Sequence, residues 1–146
     1  MKTDHIVALV SRIRCEANSL LVTELEKFGH GGLAPSHGAI LHALSVRGPM
    51  PMGALAAAIG KQKNTVTTLV GKLEQAGYVL KAPSREDSRV TLVSLSPKAV
   101  AAGPDFAAIS QTLLSAVWGD MTQAEKETLV QGLEKILRNI SGKAKL

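Results

Sequence analysis

Residues 52–71 read MGALAAAIGKQKNTVTTLVG, and this stretch decides the fold. Ala56, Gly60 and Val66 stand four and then six residues apart, with Leu55, Ile59 and Leu69 beside them. Two helices that cross steeply need a small residue at the crossing, which Ala56 supplies. The turn between them needs one residue of positive φ, most cheaply a glycine, which Gly60 supplies. The second helix must then anchor inward, and Val66, Leu69, Val70 and Leu73 recur at helical spacing to do so. Its opposite face carries Lys63, Asn64, Thr65, Thr67, Thr68 and Lys72, with Gln62 just ahead of it. Small polar groups and cations suit base edges and phosphates. The spacing predicts a helix-turn-helix whose second helix faces DNA.

Downstream the period changes. Tyr78 to Leu80 and Val90 to Leu95 read as strands, and Lys81 to Arg89 between them as a polar loop with a proline. Two strands so joined make a hairpin, a wing that brings Arg85 and Arg89 near the neighbouring minor groove. Upstream, apolar residues from Ile6 through Leu9, Val10, Ile13, Ala17, Leu20, Leu21 and Leu25 to Phe28 recur every three or four residues. That is a long amphipathic helix, ended by Gly29, Gly31 and Gly32. A second helix begins at Pro35 and Ser36, with Ser36 as its N-cap, and stops before Gly48. After the wing, Ser96 caps a helix with Pro97 at its first position, and Gly103–Pro104 interrupts it. A last helix opens on a Thr122/Glu125 capping box and carries Leu129, Leu133, Ile136, Leu137 and Ile140. The tail from Ser141 to Leu146 reads as frayed.

Composition sets the outer bounds. The chain has 146 residues, 45% of them apolar and 20% charged, which fits one folded domain rather than a disordered chain. No apolar run approaches the roughly 18–20 residues of a membrane span, and the start lacks a secretory signal, so the sequence reads as a soluble cytoplasmic protein. One cysteine, Cys15, excludes an internal disulfide framework and a multi-cysteine zinc site. Aromatics at 3% exclude stacking platforms for single strands. The net charge is +5, and residues 61–98 alone carry +4 of it, so the polyanion-attracting part of the chain is the helix-turn-helix and wing. Gly-x-Ser-x-Gly, His-Glu-x-x-His and a phosphate-binding glycine loop are all missing, so the chain does not read as an enzyme and calls for no cofactor.

The chain resembles the MarR family of winged helix-turn-helix transcriptional regulators, over nearly its whole length. Members carry a Thr-Val-Thr-x-Leu-Val run on the recognition helix, matched by Thr65-Val66-Thr67-Thr68-Leu69-Val70. They also carry a wing ending in Asp-x-Arg, matched by Asp87-Ser88-Arg89. The resemblance implies a mainly α fold with a small β-hairpin wing, the DNA-binding lobe at 36–96 and dimerisation helices at 1–30 and 97–142. It implies a homodimer that reads a palindromic operator in double-stranded DNA, acts as a ligand-responsive repressor, and takes a small aromatic or phenolic effector. The DNA contacts fall on Gln62, Lys63, Asn64, Thr65, Thr67, Thr68, Lys72, Arg85 and Arg89. Either arginine suits the minor groove, and the Asp87–Arg89 pair equally suits a brace within the wing.

Some relatives sense peroxide with a cysteine near Cys15 and others hold zinc between the first helices and later histidines. No tyrosine lies near Cys15 in sequence and no histidine follows His42. A buried or interface cysteine is therefore expected, and helix-cap or loop roles for His30, His37 and His42, with no metal. Met50, Met52, Met121 and Trp118 read as packing residues. A different class of function, a winged-helix module that binds protein partners, would keep the fold and lose the polar face of the second helix.

Overall fold

The computed structural model describes residues 1–144. It is mainly helical: α1 (Ile6–Lys27), α2 (Pro35–Arg47), β1 (Met50–Pro51), α3 (Met52–Ile59), α4 (Lys63–Gln75), β2 (Val79–Pro83), β3 (Thr91–Leu95), α5 (Pro97–Ala101), α6 (Gly103–Trp118) and α7 (Gln123–Ala144). The chain divides into two compact units, Met1–Gln111 and a second that begins at Thr112.

In the first unit the core lies under the helix-turn-helix. Ile40 on α2, Leu55 on α3, Val66, Val70 and Leu73 on α4, Val79 on β2 and Val93 on β3 are all less than 2% exposed. Each fully buried aliphatic side chain of this kind contributes about 1.5–3 kcal/mol. Ala56 is buried, and Gly60 ends α3 in the left-handed region at φ +67°. The Lys61 N–H then reaches back to the Ala56 carbonyl, which closes the turn. The sheet has the order β1-β3-β2, all antiparallel, with Met50 opposite Val93 and Val79 opposite Leu95.

Several boundaries differ from the sequence expectation. Ser36 does not cap α2. Pro35 occupies its first turn, so Ala34 becomes the N-cap, and the Ala34 N–H donates to Nδ1 of His37 (2.8 Å). The helix-cap role expected of the histidines thus falls on His37. The first hairpin strand is Val79–Pro83 rather than 78–80, because Lys81, Ala82 and Pro83 pair with Val93, Leu92 and Thr91. Pro83 is tolerated there because β2 is an edge strand and the residue is its last. The second strand starts at Thr91, and the loop shrinks accordingly. β1, with only two residues, was not expected at all. The other caps agree: Ser96 Oγ accepts from the Ala99 N–H (3.2 Å), and Thr122 and Glu125 form a reciprocal box.

The apolar stripe of α1 is covered only at its C-terminal end. Leu25 is buried and Leu21 packs on the core, whereas Ile6, Leu9, Val10 and Ile13 are exposed. In the second unit α7 buries none of its described side chains, and Leu129, Leu133, Ile136, Leu137 and Ile140 stand exposed. Helix α7 runs past the expected frayed start at Ser141 to Ala144, and Lys145 and Leu146 lie outside the described residues. No described helix is long and apolar enough to cross a membrane.

Two measurements check this account. A Cβ added at Gly60 would meet nothing within 4 Å, so Gly60→Ala carries only the backbone cost of the left-handed region, about 1 kcal/mol in urea unfolding. Burial first, and the Lys72 charge second, lower the pKa of His37, so its folded form favours the neutral ring. The unfolded chain then takes up the proton first as pH falls below about 6.5. Stability should be full above that pH and decline beneath it, and His37→Ala should be less stable at neutral pH while losing this acidic slope.

Candidate nucleic-acid interface

The outer face of α4 follows from its inner face. Once Val66, Val70 and Leu73 are buried, the 3.6-residue period turns Lys63, Asn64, Thr65, Thr67, Thr68 and Lys72 outward, and all six are exposed, as is Gln62. Gln62 is the N-cap, and its side chain accepts no hydrogen bond from the N-terminal N–H groups of α4. The side-chain Oδ1 of Asn64 accepts from the Thr65 N–H (2.8 Å). Thr67 and Thr68 hydroxyls donate one turn back, to the carbonyls of Lys63 (2.9 Å) and Asn64 (3.2 Å). Those bonds fix the threonine rotamers, so the face is presented in one arrangement rather than many.

The C-terminal end of α4 is clamped. Lys98 Nζ donates to the Ala76 carbonyl (2.8 Å) and lies 4.4 Å from the Tyr78 ring centroid, a cation–π contact. Lys81 pairs with Glu74 at 3.5 Å. Two of the seven cations in the basic segment are thus tied to the base of the helix and wing. Lys61, Lys63, Lys72 and Arg85 make no ion pair among the described residues.

In the wing, the Ser84 N–H continues the ladder to the Val90 carbonyl (2.8 Å). Arg89 is braced against Asp87: its N–H and Nε both reach Oδ1 (3.0 and 3.1 Å) and Nη2 reaches Oδ2 (3.2 Å). Its side chain is nevertheless 88% exposed. The Arg89 hydrogen bonds, side chain first and backbone second, hold the Asp87 carboxyl below the usual range. The structure therefore separates the two arginines by pairing: Arg89 braces the loop, whereas Arg85 makes no ion pair among the described residues and lines an open groove of about 580 Å³. Pro49, Pro51, Pro83, Val90 and Leu92 form its apolar wall, and Glu86 and Asp87 share its rim with Arg85.

The other sequence-level candidates disperse. Cys15 is exposed on the chain and lies off the apolar stripe of α1, so of the two places expected for it burial within the chain is excluded. Among the described residues no group of three or more His, Cys, Asp or Glu could hold a metal ion. Met50 is buried, and Trp118 packs near Lys126 (5.7 Å to the ring centroid). One cluster escaped the sequence reading: His30 Nδ1 lies 2.6 Å from the Tyr78 hydroxyl and Nε2 lies 2.8 Å from Asp105 Oδ2. The sequence hint was a glycine directly before both His30 and Tyr78.

The comparisons bear on this geometry. The sequence model of the MarR family matches residues 31–90, the segment that holds α2 to the wing tip. Over that segment the chain is similar to the MarR family. A curated relative, the HTH-type transcriptional regulator SarZ of Staphylococcus haemolyticus, is 33% identical over 75 residues. That alignment takes in 51% of this chain and spans half the length of the relative. Among solved structures, a mutant of MarR from E. coli complexed with operator DNA superposes with a TM-score of 0.82 at 19% identity, over 92% of this chain and 94% of that one. BpsR of Bordetella bronchiseptica, solved for the regulation of its DNA binding by 6-hydroxynicotinic acid, has a TM-score of 0.80 at 18% identity, over 93% and 95%. At these identities the likeness is one of fold, and it confirms for this chain a mainly α winged-helix architecture.

The brace in the wing makes its own prediction. Asp87→Ala removes the acceptor of the Arg89 N–H, so hydrogen exchange at that amide should quicken by about tenfold or more while core amides such as Val93 stay unchanged. An unaltered Arg89 amide would remove the brace from the account.

Proposed function

We propose that this chain is a MarR-type, sequence-specific regulator of transcription that binds double-stranded DNA as a homodimer, most simply as a repressor. The observation that carries the reading is the division of α4: three fully buried aliphatics on one face, and seven exposed polar or cationic residues from Gln62 to Lys72 around the other. Lys63, Asn64, Thr65, Thr67 and Thr68, near the start of the helix, meet base edges in the major groove. Gln62 and Lys72 position the helix on phosphates. In this reading Arg85 and Arg89 of the wing serve the adjacent minor groove, with Arg85, which makes no ion pair among the described residues, as the better entrant and the Asp87-braced Arg89 orienting the loop.

Dimerisation is supported by the apolar residues left bare on α1 and α7, more than a small monomer leaves to solvent. On this reading residues 36–96 are the DNA-binding lobe within a single 1–146 domain, and residues 1–30 and 97–142 join the two subunits. A two-fold pair of recognition helices set about 34 Å apart reads a palindrome. A small aromatic or phenolic anion, the class to which the 6-hydroxynicotinic acid of BpsR belongs, would act by favouring a dimer whose helices no longer match the half-sites. The protein-interaction alternative is disfavoured by the same seven-residue face, which a module without DNA would have no reason to keep polar and basic.

The experiment is a footprint and gel-shift series on the DNA flanking the chain's own gene. A protected palindrome that survives competitor DNA and weakens steeply with salt is expected. Thr67→Ala should narrow discrimination between correct and altered half-sites by about 1 kcal/mol or more. Lys72→Ala should weaken binding to all sequences alike and reduce the salt slope by about one. Binding that competitor abolishes outright would transfer the reading to the interaction module.

A further inference from the structure

Three distant parts of the first unit meet at one hydrogen-bonded cluster, buried at His30 and Tyr78, and each is fastened to a helix end. His30 follows Gly29 (φ +81°), and its N–H returns to the Leu25 carbonyl (2.8 Å) while the Gly29 N–H returns to Glu26 (3.1 Å). That is the 6→1 and 5→2 pair of a Schellman motif, which holds His30 rigidly at the end of α1. Tyr78 repeats the arrangement at the end of α4: Gly77 has φ +86°, the Tyr78 N–H returns to Leu73 (2.9 Å) and the Gly77 N–H to Glu74 (3.0 Å). Asp105 stands in the first turn of α6. His30 joins the three, with Tyr78 on Nδ1 and Asp105 on Nε2. Phe106 packs against both rings, at 5.0 Å from His30 and 6.3 Å from Tyr78 between centroids.

The geometry points to His30 as a positioning residue that fixes the angle of the recognition helix α4 against helices α1 and α6. The inference rests on the DNA-binding reading for its consequence, and on the intrachain geometry alone for its substance. A neutral imidazole satisfies both partners at once: Nε2–H donates to the Asp105 carboxylate and Nδ1 accepts the Tyr78 phenol proton. Both His30 and Tyr78 are buried, so either bond broken leaves a desolvated polar group, and the cluster favours one arrangement over a range of them. Lys98 reinforces it from the other side of the joint, over the Tyr78 ring and onto the Ala76 carbonyl. The Ser96 hydroxyl ties in the Gly77 carbonyl as well. In a dimer built on α1, the angle at this joint sets the separation of the two recognition helices and so the spacing of half-sites that fits.

The test uses the full chain. Cys15, exposed in the middle of α1, takes one spin label, and Gln75→Cys at the end of α4 takes the other. Labelled chain is diluted into excess unlabelled chain, so that pulsed dipolar spectroscopy reads the intrachain distance. Tyr78→Phe removes one hydroxyl and keeps the ring, and Asp105→Ala removes the half-exposed carboxylate at the other nitrogen. Each should broaden or shift the distance distribution, and the double variant should do no more than the larger single effect, because both act through His30. Distributions unchanged in both variants would overturn the inference.

A second arm reads operators lengthened by one base pair between half-sites. The parent should lose about tenfold in affinity and the variants clearly less, whereas a merely destabilised protein would lose affinity for all spacings equally. A parent with no preferred site would sink the DNA-binding reading and leave the joint to be judged by the spin labels alone.

Discussion

The exclusion of Val66, Val70 and Leu73 from water is the constraint on which the rest of this structure depends. These three residues on α4 share a core with Ile40, Leu55, Val79 and Val93, which draws α2, α3 and both hairpin strands around one helix. The outward face of α4 is what remains when that inner face has been satisfied. Its orientation is therefore set by hydrophobic burial, and its chemistry by residues that contribute almost nothing to stability. That separation lets the polar face vary without disturbing the fold.

A second set of constraints acts at helix ends. Gly29, Gly60 and Gly77 each close a helix in the left-handed region, and each is followed by a residue whose N–H reaches back into the helix. A chain that leaves a helix this way leaves in a defined direction, unlike one that merely frays. The turn of the helix-turn-helix, the exit toward the wing and the exit from α1 are thus all stiff. The polar cluster of His30, Tyr78 and Asp105 connects two of these stiff exits. Burial supplies most of the cohesion of the first unit, and the cluster supplies orientation.

What could be read in the sequence was whatever depends on neighbours along the chain. The small residue, glycine and aliphatic spacing of Ala56, Gly60 and Val66 is local, as are the Ser96 cap and the Thr122/Glu125 box, and the structure has all of them. The N-cap of α2 went astray by two residues because Ser36 is the better capping type, whereas Pro35 forces the helix to begin before it and hands the capping role to His37. Strand β1 exists only because Met50 and Pro51 find β3 some forty residues later, and nothing in two residues announces that. The extension of β2 through Lys81–Pro83 was hidden for the same reason: the segment ends in a proline, which reads as loop, and becomes strand by pairing with β3. The outward residues of α4 were legible, since helical period alone assigns them. The Arg89 brace was open from sequence, and its geometry required coordinates.

The threonines of α4 carry one further consequence. Thr67 and Thr68 each have a single hydroxyl hydrogen, and each gives it to a carbonyl of its own helix. What they turn outward is oxygen lone pairs and a methyl group. The major-groove edge of guanine is made of acceptors and finds nothing there to bond. The exocyclic amines of adenine and cytosine, and the 5-methyl of thymine, find a complement. On the proposed DNA-binding reading, the internal hydrogen bonds of the helix fit these two threonines to amines and methyl groups rather than to the acceptor edge of guanine.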